Sequence, residues 1–352
     1  MSTTSSRTTR RTVVVERTAS TDTLLSSPAA VANSQLSSGQ QADISPSKLD
    51  TTGDQWSILR LTEAHFAIPV ARKALLLSAL IGALSFLGHH LGLSDQPPNS
   101  PNLPPFAQKH FVLNRLFVKW AWAWTLLACG PFILLSALVY SLGTWRAVGR
   151  HLGRLVVGHL IWFTATTSFE WLVRRSRHCC PTAPSRWAIL PPSHCLPSGG
   201  SRDCAPDELV WAFDVSGHCF LLLYSLLLMA EEAGVSTGGP QTWDRFLAAL
   251  NFYRHRYGDL LFERPLQLYV QLTPWIRLCF ILGLGALTLL WYVCLVITSV
   301  YHHTVPEKVA GTAVALLAWW LTYRLWFPIR HWLSPGLPGR SFVRLVAAEE
   351  YE

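Results

Sequence analysis

Apolar residues in this chain fall into long uninterrupted blocks, separated by short polar islands rich in Arg, His, Ser and Pro. Neither strict alternation nor an amphipathic repeat organises them. Blocks of about 20 apolar residues match a hydrocarbon core roughly 30 Å thick. Uninterrupted runs indicate helices rather than a barrel, because a helix satisfies its own backbone groups in lipid. The pattern predicts an all-α fold: a polytopic membrane helix bundle with six transmembrane helices, over 74–93, 117–141, 155–173, 211–231, 276–300 and 309–328.

The flanks differ in kind. Residues 1–55 are rich in Ser, Thr and Gln and nearly free of aromatics, so they cannot bury enough surface to fold and are expected to form a disordered cytosolic tail. No apolar core of a cleavable signal lies there. The six-span membrane domain is expected over 56–333, followed by a C-terminal tail over 334–352.

Lys and Arg in short flanks set orientation. Arg72 and Lys73 precede the first span, and Arg146, Arg150 and Arg154 fall in the expected loop after the second. Arg245, Arg254, Arg256, Arg264 and Arg277 precede the fifth, while Arg330, Arg340 and Arg344 follow the sixth. Span parity puts all four segments on one side, read as cytosolic. Arg174, Arg175 and Arg177 on the other side run against the rule.

Composition agrees with the membrane reading. Of 352 residues, 50% are hydrophobic and only 14% charged, against about 25% charged in ordinary proteins. Trp120, Trp122, Trp211, Trp275 and Trp326 sit near span ends, where indole favours the interface. Trp319 and Trp320 fall mid-span and are better explained by helix packing. The formal charge of +8 punctuates apolar runs instead of forming a stripe, so it speaks for topology and anionic lipid and against nucleic acid.

Four of the eight cysteines (Cys179, Cys180, Cys195 and Cys204) lie in one loop of the non-cytosolic side. An oxidising lumen permits disulfides there. Sequence leaves their pairing open, with a zinc site as the rival, although no CxxC pair is present. Trp243, Phe246, Leu247 and Leu250 share helical spacing between Trp243 and Tyr257, which fits a helix on the cytosolic leaflet or one packed on the bundle.

Two polar islands hold candidate chemistry. Phe213-Asp214-Val215-Ser216-Gly217-His218 opens the fourth apolar run, and Tyr301-His302-His303-Thr304 closes the fifth. Span parity puts both at one membrane face, with His218 about two turns inside the start of its span. One imidazole can attack phosphorus while a second protonates the departing oxygen, and both tasks suit a pKa near neutrality. Ser216 and Gly217 are candidate donors to phosphoryl oxygens. Glu307, one helical turn after His303, is placed to fix its tautomer.

Alternatives stand beside this reading. Histidines at span ends are common, and a metal site built from His218, His303 and His89 stays open. With no HExxH and no dense carboxylate cluster, a hydrolase needing neither metal nor cofactor is expected. Asn114 and Lys119, entering the second span from the same face, are candidate substrate contacts, and Lys119 fits equally a lysine that snorkels outward. Phe220, Leu221 and Leu222 either line an acyl-chain channel or face neighbouring helices. Glu231 and Glu232 lie roughly 20 Å along the helix from His218, too remote for chemistry and suited to bonding with Arg324.

Ser-Gly-His before an apolar helix resembles the middle motif of the lipid phosphate phosphatases, but the arginine that precedes the later histidine there is missing before His303. A closer resemblance, over about residues 70–340, is to the FIT family, the fat storage-inducing transmembrane proteins. It is carried by Val112-Leu113-Asn114, Phe117-Val118-Lys119, Trp122-Ala123-Trp124-Thr125, Phe213 to His218, Glu231-Glu232, Tyr301-His302-His303, Glu307-Lys308-Val309, Gly311-Thr312, Thr322-Tyr323-Arg324 and Ser334-Pro335-Gly336-Leu337-Pro338.

The resemblance implies an endoplasmic reticulum membrane protein with both termini cytosolic and the active site lumenal. It implies cleavage of the diphosphate of fatty acyl-CoA to acyl 4′-phosphopantetheine and adenosine 3′,5′-bisphosphate. The catalytic histidines would be His218 and, from the Tyr-x-His pattern, His303 rather than His302. Lipid droplet formation and phospholipid homeostasis are implied as roles. A protein that binds di- and triacylglycerol without chemistry is the alternative.

Overall fold

The computed structural model describes residues 53–94, 103–108, 110–140, 145–182, 189–198, 204–205, 208–234, 259–329 and 333–338. The surface helix expected between Trp243 and Tyr257, and residues 1–52 of the tail expected over 1–55, lie outside the described residues, while the last three residues of that expected tail are helical rather than disordered.

The described chain is largely helical. Its helices are α1 (Gly53–Ala67), α2 (Val70–His90), α3 (Ala121–Tyr140), α4 (Trp145–Arg175), α5 (Gly217–Ala233), α6 (Asp259–Leu278), α7 (Ala286–Tyr301) and α8 (Val305–Trp319). Three π-helical stretches join or extend them: Leu113–Val118 ahead of α3, Cys279–Gly285 between α6 and α7, and Trp320–Trp326 after α8. Three stretches are long and apolar enough to cross a membrane: Val70–His90, Ala121–Val139 and Gln271–Tyr301. Helix α4 is longer, at 31 residues, but carries Arg146, Arg150, Arg154 and Glu170. Helix α5 has 17 residues.

Helix α5 is the core. It is hydrophobic all round, and Phe220, Leu222, Leu223, Leu227 and Met229 have no exposed surface, as expected of a helix enclosed by others. It packs chiefly on α8, then on α7 and α3. The α5–α8 approach is close because Gly311 has no side chain: a Cβ there would strike the Ser216 carbonyl oxygen. Gly88 plays the same part where α2 meets the Val300 carbonyl of α7.

Two expectations need correcting. The fourth apolar run is not helical from residue 211. Leu209–Trp211 forms β3, pairing antiparallel with β1 (His178–Cys180), which also pairs with β2 (Leu196–Pro197) in the order β2-β1-β3. Helix α5 starts only at Gly217, where the Ser216 hydroxyl accepts the Cys219 N–H as an N-cap. His218 is therefore in the first turn of its helix, not two turns inside. Arg146, Arg150 and Arg154 are not in a loop but on α4, and Arg154 is buried.

The sheet is held by disulfides Cys179–Cys204 and Cys180–Cys195. Cys180, Cys195 and Trp211 form its small core, with Phe213 against it. The two bridges resolve the open choice between zinc and disulfides. They anchor β1, whose partner β3 leads directly into the Phe213–His218 island.

Candidate active site

The site is assembled where α5 begins and where α7 turns into α8. Helix α7 ends at Tyr301, with His302 extended behind it, and α8 starts from Thr304. Reversing direction in so short a connector puts His303 in the left-handed region, at φ 59°. That conformation is uncommon for residues other than glycine, although His tolerates it better than most. It turns the imidazole of His303 toward α5. The rings of His218 and His303 lie 6.1 Å apart, centre to centre, inclined at 58°.

Glu307 holds this arrangement from below. Its Oε2 accepts the Thr304 N–H at 2.9 Å, completing a reciprocal capping box with the Thr304 side chain. Its Oε1 accepts the Asp214 N–H at 3.4 Å, and its backbone carbonyl accepts the Ser216 N–H at 3.0 Å. One residue thus ties both islands together. The same carboxylate lies 3.4 Å from Nδ1 of His303. Burial by itself would raise the pKa of Glu307. Hydrogen bonds from His303 and the Thr304 backbone, with the attraction of His303, outweigh it and hold the carboxyl below its ordinary value.

Asp214 is the residue that sequence reasoning missed. Its Oδ2 lies 3.9 Å from the same Nδ1, and its side chain is more than half exposed. Two carboxylates beside Nδ1 favour the proton there, leaving Nε2 with the lone pair. The signal was present: Asp214 stands four residues before His218 in the quoted island. Its relation to His303, however, exists only in three dimensions.

Other expected site residues are placed as follows. His218 and Gly217 are half-buried in the first turn of α5, and Gly217 heads a helix end whose dipole suits an anion. Ser216 is fully buried; its N–H donates to Glu307 across the α5–α8 junction, and its hydroxyl caps α5. Phe220 meets Phe169 edge-on at 5.5 Å and stacks on Tyr224 at 5.8 Å. Leu221 and Leu222 are buried in the same core. These three face neighbouring helices. Asn114, half-buried, lies on the π-helical stretch before α3, and Lys119, exposed, follows it. That stretch packs against α7.

His159 and His89 lie outside this pair. His159 accepts the Trp122 indole N–H at 3.1 Å. His89 lies in the last turn of α2 and does not converge with His218 and His303 into a metal-binding group. Among the described residues, three metal-capable side chains converge only at Cys179, Cys204 and Glu208, where the two cysteines are bonded to each other.

The model of the family described as "Fat storage-inducing transmembrane protein" matches residues 103–174 and 193–323. The chain belongs to the FIT family. Acyl-coenzyme A diphosphatase FITM2 of Drosophila melanogaster is 34% identical over 252 residues, 67% of this chain and 55% of that protein. The Xenopus tropicalis protein of the same name is 33% identical over 242 residues, 67% of this chain and 77% of its own length. The human one is 30% identical over 247 residues, 70% of this chain and 81% of its own. Both histidines fall inside the matched FIT residues. No solved structure matches the chain.

Proposed function

We propose that this FIT protein is an acyl-CoA diphosphatase of the endoplasmic reticulum membrane. It cleaves the diphosphate of fatty acyl-CoA to acyl 4′-phosphopantetheine and adenosine 3′,5′-bisphosphate. In this reading the chain crosses the bilayer six times, both termini are cytosolic, and the site opens to the lumen. The observation that carries the proposal is the 6.1 Å approach of the His218 and His303 rings. At that separation both imidazoles come within reach of one phosphoryl group. The disulfides beside the site support a lumenal setting.

In the proposed reaction Nε2 of His303 attacks one phosphorus of the diphosphate. The bond from that phosphorus to the bridging oxygen breaks, and the bridging oxygen takes a proton from His218 as it leaves with the other phosphate. Water, deprotonated by His218, then attacks the phosphohistidine and breaks the N–P bond. Glu307 holds the Nδ1 proton of His303 throughout, and Asp214 stabilises the positive ring. Asn114 and Lys119 are proposed substrate contacts, Lys119 as a point charge on phosphate. Supply of lipid for droplets and phospholipid homeostasis is the proposed role.

The test is incubation of purified full-length protein with oleoyl-CoA, reading products by mass. The two phosphomonoesters are expected, and neither should form with His218→Ala or His303→Ala. Binding of triacylglycerol with no cleavage of oleoyl-CoA would overturn the proposal in favour of non-enzymatic partitioning of di- and triacylglycerol.

A further inference from the structure

Since Phe220, Leu221 and Leu222 are packed into the core, the acyl chain of the substrate needs another place. A groove of about 310 Å³ opens between α3 and the stretch running from the Cys279–Gly285 π-helix into α7. This is the low end of the roughly 300–1,000 Å³ usual for ligand sites. Trp124, Leu127 and Ala128 line one wall, and Gly283, Ala286 and Leu290 the other. Its surface is overwhelmingly apolar. Both walls belong to stretches apolar enough to cross a membrane, and Leu127 and Leu282 at its rim are 62% and 63% exposed. A groove so placed faces hydrocarbon, and an alkyl chain is the ligand that fits it.

The position along α7 identifies which chain. The Trp291 indole donates to the Thr125 hydroxyl at 3.2 Å, fixing the level of α3 against α7. From Leu290 to Tyr301, the end of α7 next to His303, is about 16 Å at roughly 1.5 Å per residue. An extended phosphopantetheine arm has about four residue lengths of backbone-like bonds, roughly 15 Å at about 3.5 Å each. With the diphosphate at the histidines, an arm of that length brings the thioester close to the level of the upper rim at Trp124 and Leu290. The acyl chain then continues down toward Gly283. The Trp124 indole also donates to the Leu116 carbonyl at 3.1 Å, which ties that rim to the stretch holding Asn114 and leading to Lys119.

We infer that this groove between α3 and α7 is the acyl-chain site for long-chain acyl-CoA. The inference rests on the diphosphatase reading above for its substrate. At Gly283 an added Cβ would make only ordinary contact with Ala128, at 3.6 to 3.7 Å, so the two walls approach closely there and form the floor. Ala286 is exposed to the groove, so a larger side chain at that position fills it without disturbing the core.

The experiment uses purified full-length protein in phosphatidylcholine nanodiscs. Ala286→Phe is paired with Leu127→Trp on the opposite wall, each at an exposed position. For both, the ratio of kcat/KM for oleoyl-CoA to that for butyryl-CoA should fall about tenfold or more. In parallel, palmitoyl-CoA bearing a terminal diazirine should label α3 and the Gln271–Tyr301 stretch, and oleoyl-CoA should compete. An unchanged ratio in both variants with label on α5 would overturn the groove while leaving the reaction intact. Label displaced by added phosphatidylcholine but not by oleoyl-CoA would show an ordinary bilayer lipid and also overturn it. If the wild type cleaves no acyl-CoA yet oleoyl-CoA competes for labelling of the groove, the diphosphatase reading fails and the groove stands.

Discussion

At the Gly217 end of α5, His218 and His303 face each other half-buried, with Asp214 exposed beside them. At the Ala233 end, Arg154 meets Glu232 through paired hydrogen bonds of 2.6 and 2.7 Å, with nearly all of both side chains buried. Tyr323 donates to the same Glu232 at 2.9 Å, and Arg154 also reaches His151 and the Gly336 carbonyl. Next to them, Glu231 accepts from Trp319 and Arg324. Both ends are polar, but the Arg154–Glu232 pair is enclosed while the two histidines and Asp214 keep exposed surface. Groups that must bind and release a substrate keep exposed surface and loose partners. Groups that join helices in a bundle are enclosed and reciprocally bonded, so that no charge is left uncompensated.

The contrast can be broken most sharply at the open end. His303→Ala or His218→Ala should lower turnover by about 10²–10⁴-fold or more, while the thermal midpoint and the amount of membrane-inserted protein hold. A midpoint that falls with activity would make these histidines structural. At the closed end the effects should reverse. Arg154→Ala strands a buried carboxylate and should cost about 3–5 kcal/mol of stability, read as loss of accumulation or a lowered midpoint. Arg154→Met combined with Glu232→Leu should recover most of that loss, since a buried pair often breaks even with apolar residues.

Between the two ends runs the α5–α8 contact. Gly311→Ala pushes a methyl against the Ser216 carbonyl and should cost about 1–3 kcal/mol by overpacking. It should also lower activity, because Ser216 precedes the His218 turn. Glu307 gives the finest distinction. Glu307→Gln keeps a capping side chain but not the charge beside His303, so activity should fall about tenfold or more. Glu307→Ala loses the cap as well, at about 1 kcal/mol further. Because the folded protein holds this carboxyl below its ordinary value, its contribution is complete above the usual carboxylate range. It is lost as pH falls through the lowered folded value. A stability curve for wild type against Glu307→Gln should therefore diverge above that range and converge in acid.

Much of this was legible in sequence. The apolar runs mark the helices that pack or span, and the two islands fall where α5 begins and α7 ends. What hydropathy cannot supply is the exact start of an element. Trp211 and Phe213 read as part of a span, yet the disulfide-bound sheet claims Trp211 through its pairing with His178. Arg154 reads as a topological charge, because its partner Glu232 lies far along the chain and appears only when α4 packs beside α5. Asp214 escaped for the same reason. The left-handed turn at His303 has no signature in a sequence of non-glycine residues, since the capping box and helix packing impose it.

The central claim is that two imidazoles distant in sequence form one phosphoryl-transfer centre with His303 as nucleophile. Rapid acid-free quenching of the protein during oleoyl-CoA turnover, followed by peptide mass analysis, tests it most directly. A phosphoramidate adduct on His303 that is absent from His303→Ala is the predicted result. An adduct on His302, or continued turnover with His303 replaced, would contradict it.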